Sequence, residues 1–170
     1  MAAWHLMDAP MSSIPFKQID VFTQVAFRGS PVAVVLDGTG LETAQMQRIA
    51  NWTNLSETTL VLPPTDANAD YRVRIFTPGS ELPFAGHPTI GTAHALLEAG
   101  LVEAQAGQLV QECGAGLVKL QVDFKDNGER SISFELPPAT VTELSDAQIE
   151  ELQALLGTAL ALEARPRLID

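Results

Sequence analysis

Cysteine is almost absent from the sequence, since Cys113 is the only one among 170 residues. A single thiol excludes an internal disulfide and is typical of a reducing compartment, so we expect a cytoplasmic protein. Cys113 stands between Glu112 and Gly114, without a neighbouring cation that would favour its thiolate. We therefore expect an ordinary strand or turn thiol rather than a nucleophile.

Histidine is also scarce, and its three positions match no metal-ligand spacing. They are His5, His87 and His94. No Ser/His/Asp constellation, phosphate-cradling glycine loop or complete dinucleotide motif is visible either. We therefore expect neither a metal nor a cofactor.

Basic residues are few, at 10 against 21 acidic ones, which gives a formal net charge of −11. Such a chain repels phosphate backbones and anionic lipid, so nucleic acid and membranes are not expected partners. No run of about 18 apolar residues occurs, and residues 1–11 lack the basic start of a secretory signal. We interpret residues 1–14 as a disordered leader or an expression remnant.

Apolar residues make up 46% of the chain, which is enough for a packed core. Alternating and continuous apolar runs, bounded by Gly and Pro, predict about seven strands. These cover residues 16–23, 32–36, 58–62, 71–77, 109–112, 117–124 and 131–136, and another strand starts at residue 167. Helical spacing and capping signals predict three helices, at 41–52, 88–99 and from 145 to about 157. The fold class is therefore mixed α+β.

The second helix begins in the segment Glu81-Leu-Pro-Phe-Ala-Gly-His-Pro-Thr-Ile-Gly-Thr-Ala93. Pro88 suits the first helical position and His87 the N-cap, while Gly100 suits the position just past the helix end. Gly86 would let a ligand approach the backbone closely.

Free backbone N–H groups at this helix start would suit a carboxylate. The N–H groups expected there are those of Thr89, Ile90 and Gly91. The alternative is that Gly-His-Pro-Thr is only a well-capped helix start.

A second candidate segment is Asn54-Leu-Ser-Glu-Thr58, where a helix gives way to an apolar strand. Glu57 at such a junction would be partly desolvated, a setting that suits a general acid/base. The alternative is a solvated loop glutamate. Ser56 could hydrogen-bond a ligand, but no neighbour makes it a nucleophile.

Three arginines are further candidates for binding a substrate carboxylate. Arg72 and Arg74 share one strand face, where ion pairs with the abundant acidic side chains are the alternative. Arg28 is similarly undecided.

Five segments in this order resemble the PhzF-like family of phenazine biosynthesis. They are Asp20-Val-Phe-Thr23, Phe27-Arg-Gly-Ser-Pro-Val-Ala-Val-Val35, Asn54-Leu-Ser-Glu-Thr58, Arg74-Ile-Phe-Thr-Pro78 and the helix-start segment 81–93. The resemblance covers residues 19–100 and is most specific at 54–58 and 84–92.

The resemblance implies a diaminopimelate epimerase-like fold, in which a β-barrel-like mixed sheet surrounds a central helix. It implies an isomerase or epimerase that moves a proton on a small anionic carboxylic acid without cofactor or metal. Glu57 would be the acid/base residue, and the Gly86-His87-Pro88 turn would contact substrate. The substrate-binding set it implies is Ser56, Gly86, His87, Pro88, Thr89 and Ile90. A homodimer is also implied.

The sequence departs from the family in length and at Ser30, where the family usually has asparagine. We expect residues 15–138 to form an N-terminal domain and residues 139–170 to lead toward a second domain. The rival function is an incomplete, inactive domain that binds a small carboxylate or assembles with a partner. A cysteine-pair racemase is a weaker rival, because Cys113 is alone and lies outside the 86–89 turn.

Overall fold

The computed structural model describes residues 13–125, 130–136, 140–161, 163 and 165–169. Most of the expected leader, residues 1–12, lies outside the described residues. The chain divides into two compact units, residues 1–135 and 136–170. In the described residues no helix is long and apolar enough to cross a membrane.

The first unit holds eight strands and two helices among its described residues. They are β1 (Phe16–Val21), β2 (Ser30–Val35), α1 (Thr43–Thr53), β3 (Thr58–Leu62), β4 (Tyr71–Phe76), β5 (Glu81–Leu82), α2 (Gly86–Glu98), β6 (Gln108–Cys113), β7 (Gly116–Phe124) and β8 (Arg130–Phe134). All seven strands and both helices predicted for this region are present. The additional strand, β5, has two residues, too few for an alternating pattern.

The eight strands form one mixed sheet in the order β1-β2-β3-β4-β6-β7-β8, with β5 paired to β4. The β2–β3 and β4–β6 pairs are parallel and the others antiparallel. Helix α2 contacts β1, β2 and β3 and also β8, at the opposite end of the sheet. The sheet therefore curls around α2, which confirms the α+β fold with a central helix.

Helix α2 is enclosed on more than one face. Ile90, Ala93 and Leu97 share one face by helical spacing; Ala93 is buried, while Ile90 and Leu97 are partly buried. Other faces are buried too, through Thr89, Gly91, Thr92, Ala95 and Leu96. The polar members of this set are short threonines, whose hydroxyls can bond within the helix or across to the sheet.

Gly91 lets α2 approach the sheet closely. A Cβ at this position would lie 2.4 Å from Val32 Cγ1 and 2.9 Å from Val21 Cγ2. Both distances are far below a van der Waals contact, so only glycine fits without a shift of helix or strand. The small residue thus sets the depth of α2 in the curled sheet.

The second unit contains β9 (Val141–Glu143), α3 (Asp146–Leu156) and β10 (Arg167–Ile169) among its described residues. Strands β9 and β10 pair antiparallel. The predicted capping box is confirmed, since Ser145 and Gln148 bond each other's backbone N–H groups. Gly157 ends the helix in the left-handed conformation at φ 67°, as glycine does at helix ends.

Candidate active site

Glu57 lies at the junction between α1 and β3, where the sequence placed it. Asn54 ends α1 in the left-handed conformation at φ 54°, which asparagine tolerates better than most residues. The turn is closed by a 2.7 Å hydrogen bond between the hydroxyls of Thr53 and Thr58. The carbonyl of Glu57 accepts from the N–H of Ala33 over 3.3 Å. These two hydrogen bonds hold the backbone around Glu57 in place.

The second part of the site is the start of α2, which lies earlier than predicted. The helix begins at Gly86 with Ala85 as N-cap. The predictions of His87 as N-cap and Pro88 as first helical residue are therefore wrong, and Pro88 is the third residue. A proline fits there equally well, because none of the first N–H groups has a partner inside the helix.

This start also corrects which backbone N–H groups are free. The N–H of Thr89 donates to the carbonyl of Ala85 over 3.3 Å, so the ladder of the helix already begins there. The prediction of free N–H groups at residues 89–91 is wrong. The groups without a partner inside the helix are instead those of Gly86 and His87, because Pro88 has none.

The side chains of Glu57 and His87 meet at this point. His87 Nδ1 lies 3.3 Å from Glu57 Oε2, and the two side chains are 13% and 17% exposed. This is ion-pair distance, but the two atoms are not aligned as a hydrogen bond. Within the described part of the chain, Glu57 Oε2 and His87 Nε2 are buried without a hydrogen-bond partner. Buried polar atoms are nearly always paired, so a water molecule or a ligand is the expected partner of these two atoms.

The remaining predicted site residues lie around this pair in different settings. Ser56 is exposed, Pro88 and Thr89 are buried, and Ile90 packs partly buried against the core. The hydroxyl of Thr89 donates to the carbonyl of Ala85. Substrate contacts by these four residues stay predictions.

The structure gives a reason for glycine at position 86 that could not be predicted from the sequence. A Cβ there would lie 3.0 Å from the ring of Phe134. That ring packs edge-on against Phe84, with centroids 5.6 Å apart and an interplanar angle of 68°. A side chain at residue 86 would therefore press on this aromatic pair.

Two of the candidate arginines, Arg74 and Arg28, have partners other than Glu57 and His87. Arg74 binds Glu81 with two hydrogen bonds, of 2.7 and 2.6 Å. Arg74 therefore forms an ion pair with an acidic side chain, which was the alternative to binding a substrate carboxylate. Arg28 is exposed, and its backbone N–H donates to Asp20 over 3.1 Å.

Cys113 is the last residue of β6, and its thiol donates to the carbonyl of Gly116 over 3.5 Å. This is the structural thiol expected from the sequence. In the residues that the structure describes, no three His, Cys, Asp or Glu side chains form a group that could hold a metal ion.

Sequence reasoning missed a set of buried polar residues behind the site. Thr59, Thr92 and Gln111 are fully buried. Thr92 donates to Thr59 over 2.8 Å, and Gln111 donates to Thr89 over 3.0 Å. A polar residue within an apolar run was the available signal, since such a residue must find a partner when buried.

Comparison with known proteins gives a consistent result. The family model for phenazine biosynthesis-like proteins (PhzC-PhzF) matches residues 19–169. Over 163 residues the chain is 48% identical to antisense-enhancing sequence 1 of Schizosaccharomyces pombe, covering 94% of this chain and 55% of that protein. Over 146 residues it is 38% identical to trans-2,3-dihydro-3-hydroxyanthranilate isomerase of Pseudomonas fluorescens, covering 85% of this chain and 51% of that protein.

A crystal structure of a PhzF-family phenazine biosynthesis protein from Bacillus anthracis superposes with a TM-score of 0.75 at 33% identity. The match covers 94% of this chain and 53% of that one. The chain thus spans about half the length of the curated relatives and of the solved structure that it matches.

Proposed function

Because the chain belongs to the phenazine biosynthesis-like family, we propose that it carries the acid/base residue of a cofactor-independent isomerase that moves a proton on a small carboxylic acid. The observation that carries the proposal is the pair of buried, unpartnered atoms, Glu57 Oε2 and His87 Nε2. A bound substrate would supply the missing partners. Relatives named as isomerases support the reaction class.

In the proposed reaction Glu57 is the catalytic residue. Its carboxylate takes a proton from a carbon of the substrate, and the electron pair of the broken C–H bond moves into the adjacent conjugated system. The protonated Glu57 then gives a proton to another carbon, and while the proton is on the carboxyl group it can exchange with solvent. No atom is gained or lost, so the reaction needs no co-reactant. Proton transfer by a positioned side chain contributes roughly 10²–10⁴-fold to the rate.

His87 orients the carboxylate of Glu57 and faces the substrate with its second ring nitrogen. Its Nδ1 lies 3.3 Å from Glu57 Oε2, and both side chains are largely shielded from water. Shielding strengthens the interaction between them, because the local dielectric constant is lower than that of water. We expect His87 to matter less than Glu57, since it does not exchange the proton with carbon.

The carboxylate of the substrate would bind at the start of α2. The backbone N–H groups of Gly86 and His87 point out of the helix there, and the helix dipole favours a negative charge. This local site would offset the repulsion from the net charge of −11. It takes the place of the site first expected at residues 89–91.

The activity is proposed for a protein of the relatives' full length, to which this chain would contribute Glu57. The chain spans about half the length of these relatives, and groups positioned on the other side of the substrate would be supplied by the rest of such a protein. The alternative is an inactive domain that only binds a small carboxylate or a partner. The cytoplasmic location and the homodimer also stay proposals.

The name of the Schizosaccharomyces pombe relative refers to antisense enhancement rather than to a reaction. Nothing at the Glu57–His87 pair favours a nucleic-acid ligand, because an acidic surface opposes phosphate binding.

A ligand titration tests the carboxylate site on this chain. The probe is 3-hydroxyanthranilate, the aromatic counterpart of the substrate in the name of the Pseudomonas fluorescens relative. The matched control is 2-aminophenol, which is the same ring without the carboxylate. We expect 3-hydroxyanthranilate to shift the NMR signals of the Gly86 and His87 amides and to bind at least about tenfold more tightly than the control. Unchanged amides at saturation, or equal affinities, would contradict the site.

A further inference from the structure

A chain of buried hydrogen bonds connects β4 with the start of α2. The hydroxyl of Tyr71 donates to Gln111 Oε1 over 3.2 Å, and Gln111 Nε2 donates to Thr89 Oγ1 over 3.0 Å. The hydroxyl of Thr89 donates in turn to the carbonyl of Ala85 over 2.9 Å. Tyr71, Gln111 and Thr89 are at most 2% exposed. This series of hydrogen bonds therefore runs through the core and ends at the N-cap residue of α2.

The last hydrogen bond of the series, from the Thr89 hydroxyl to the Ala85 carbonyl, fixes the peptide plane between Ala85 and Gly86. The carbonyl of Ala85 and the N–H of Gly86 belong to the same planar trans peptide, so they point in opposite directions. Thr89 holds that carbonyl with both its hydroxyl and its N–H. The direction of the Gly86 N–H is set at the same time. No side-chain cap does this work, because the N-cap is Ala85.

We propose that Gln111, acting through Thr89, is a positioning residue that aims the Gly86 N–H and the adjoining His87 toward a bound carboxylate. The side chain of Gln111 forms its hydrogen bonds with Tyr71 and Thr89, so it reaches the helix start through Thr89. The functional meaning of this role rests on the proposed function, whereas the geometry of the peptide plane can be tested separately.

Stability alone does not account for a glutamine at this position. Replacing both partners of a buried hydrogen bond by apolar groups of similar shape is often nearly neutral. A fully satisfied buried polar network instead specifies one arrangement of the elements that it joins. The Tyr71 hydroxyl is a donor at neutral pH, because a tyrosine has an ordinary pKa of about 10 and burial raises the pKa of Tyr71 further. Gln111 is then held from one side and holds Thr89 on the other.

The chain offers a matched set of variants within one helix. Thr89→Val removes the hydroxyl with little change in shape, and Thr89→Ser restores it. Thr92→Val is the control, because Thr92 is equally buried but bonds Thr59 over 2.8 Å rather than the N-cap. Gln111→Met removes the amide at similar length. Each variant is examined by thermal unfolding, by the NMR signal of the Gly86 amide and by titration with 3-hydroxyanthranilate.

We expect Thr89→Val and Gln111→Met to shift the Gly86 amide and to weaken binding of 3-hydroxyanthranilate about tenfold, as when one hydrogen bond to a charged group is lost. Thr89→Ser should keep the affinity within about twofold of the original chain, and Thr92→Val should do so despite a similar loss of stability. The positioning role would be overturned if Thr92→Val weakened binding of 3-hydroxyanthranilate as much as Thr89→Val does. It would also be overturned if the NMR signal of the Gly86 amide did not shift in Thr89→Val. If the original chain fails to bind the probe, the proposed function fails, and the Gly86 amide still decides on the positioning role.

Discussion

Gly91→Ala tests whether the depth of α2 in the sheet is set by the close approach at this residue. Two effects oppose each other. Alanine is favoured over glycine inside a helix by about 0.5–1 kcal/mol. Overpacking a well-filled core costs roughly 1–3 kcal/mol. Their difference decides the sign of the change in the free energy of unfolding.

The local geometry places the overpacking cost near the top of its range. The new Cβ would lie 2.4 Å from Val32 and 2.9 Å from Val21, which are 0% and 4% exposed. Both are β-branched, so neither side chain can easily rotate away. We therefore expect a net loss of about 2 kcal/mol, which corresponds to a decrease in Tm of roughly 4–8 °C.

The assay is urea unfolding, with the midpoint and the m-value measured for each variant. Gly79→Ala is the matched control, because a Cβ there meets nothing within 4 Å and its φ is not positive. We expect this control to be neutral or to gain a few tenths of a kcal/mol. Adding Val32→Ala to Gly91→Ala should recover about 1 kcal/mol relative to the sum of the single changes. A Gly91→Ala chain as stable as the original would refute the close-packing argument.

Two further predictions concern Tyr71 and the capping box of α3. Burial raises the pKa of Tyr71, so the folded state holds the phenolic proton more strongly than the unfolded state does. The free energy of unfolding should therefore be unaffected below the ordinary tyrosine pKa of about 10. It should fall as the pH rises above that value. Tyr71 is the only tyrosine, so the ultraviolet absorbance of the phenolate during alkaline unfolding reports this residue alone. Ionisation of Tyr71 near the ordinary tyrosine pKa while the chain is still folded would contradict the prediction. Ser145→Ala removes the side-chain bond to the Gln148 N–H and should destabilise α3 by about 1 kcal/mol, seen as faster amide exchange in α3 but not in α2; unchanged exchange in α3 would count against a contribution from the cap.

Much of the fold could be predicted because local signals agreed with it. The strand Thr58–Leu62 has the predicted bounds, since a continuous apolar run is ended by Pro63 and Pro64, which cannot continue a ladder. The capping box of α3 is equally local. Strand β9, with three residues, is too short for a periodic pattern and was missed.

The start of α2 was misplaced for a physical reason. Proline is accepted at any of the first helical positions, because none of their N–H groups bonds within the helix. Pro88 therefore indicated the first turn but not the register. The N–H groups without a partner inside the helix are those of Gly86 and His87, and the carboxylate site is therefore proposed there.

The chemistry of the site was only half visible in the sequence. Glu57 and His87 were each singled out from local context, but their 3.3 Å contact depends on how the sheet curls around α2. The contact between Gln111 and Thr89 depends equally on a long-range approach of β6 to α2. No local pattern encodes which distant residues will meet.

The central claim is that Glu57 moves the proton. The most direct measurement uses a protein of the relatives' full length that contains this chain, with and without Glu57→Gln. It follows incorporation of solvent deuterium into trans-2,3-dihydro-3-hydroxyanthranilate, the compound in the name of the Pseudomonas fluorescens relative. Glutamine keeps the shape but cannot act as the base, so we expect exchange to slow by roughly 10²–10⁴-fold, while His87→Gln slows it less and the affinity for 3-hydroxyanthranilate changes little. Exchange by Glu57→Gln at the original rate, or no exchange by the unaltered protein, would contradict the account.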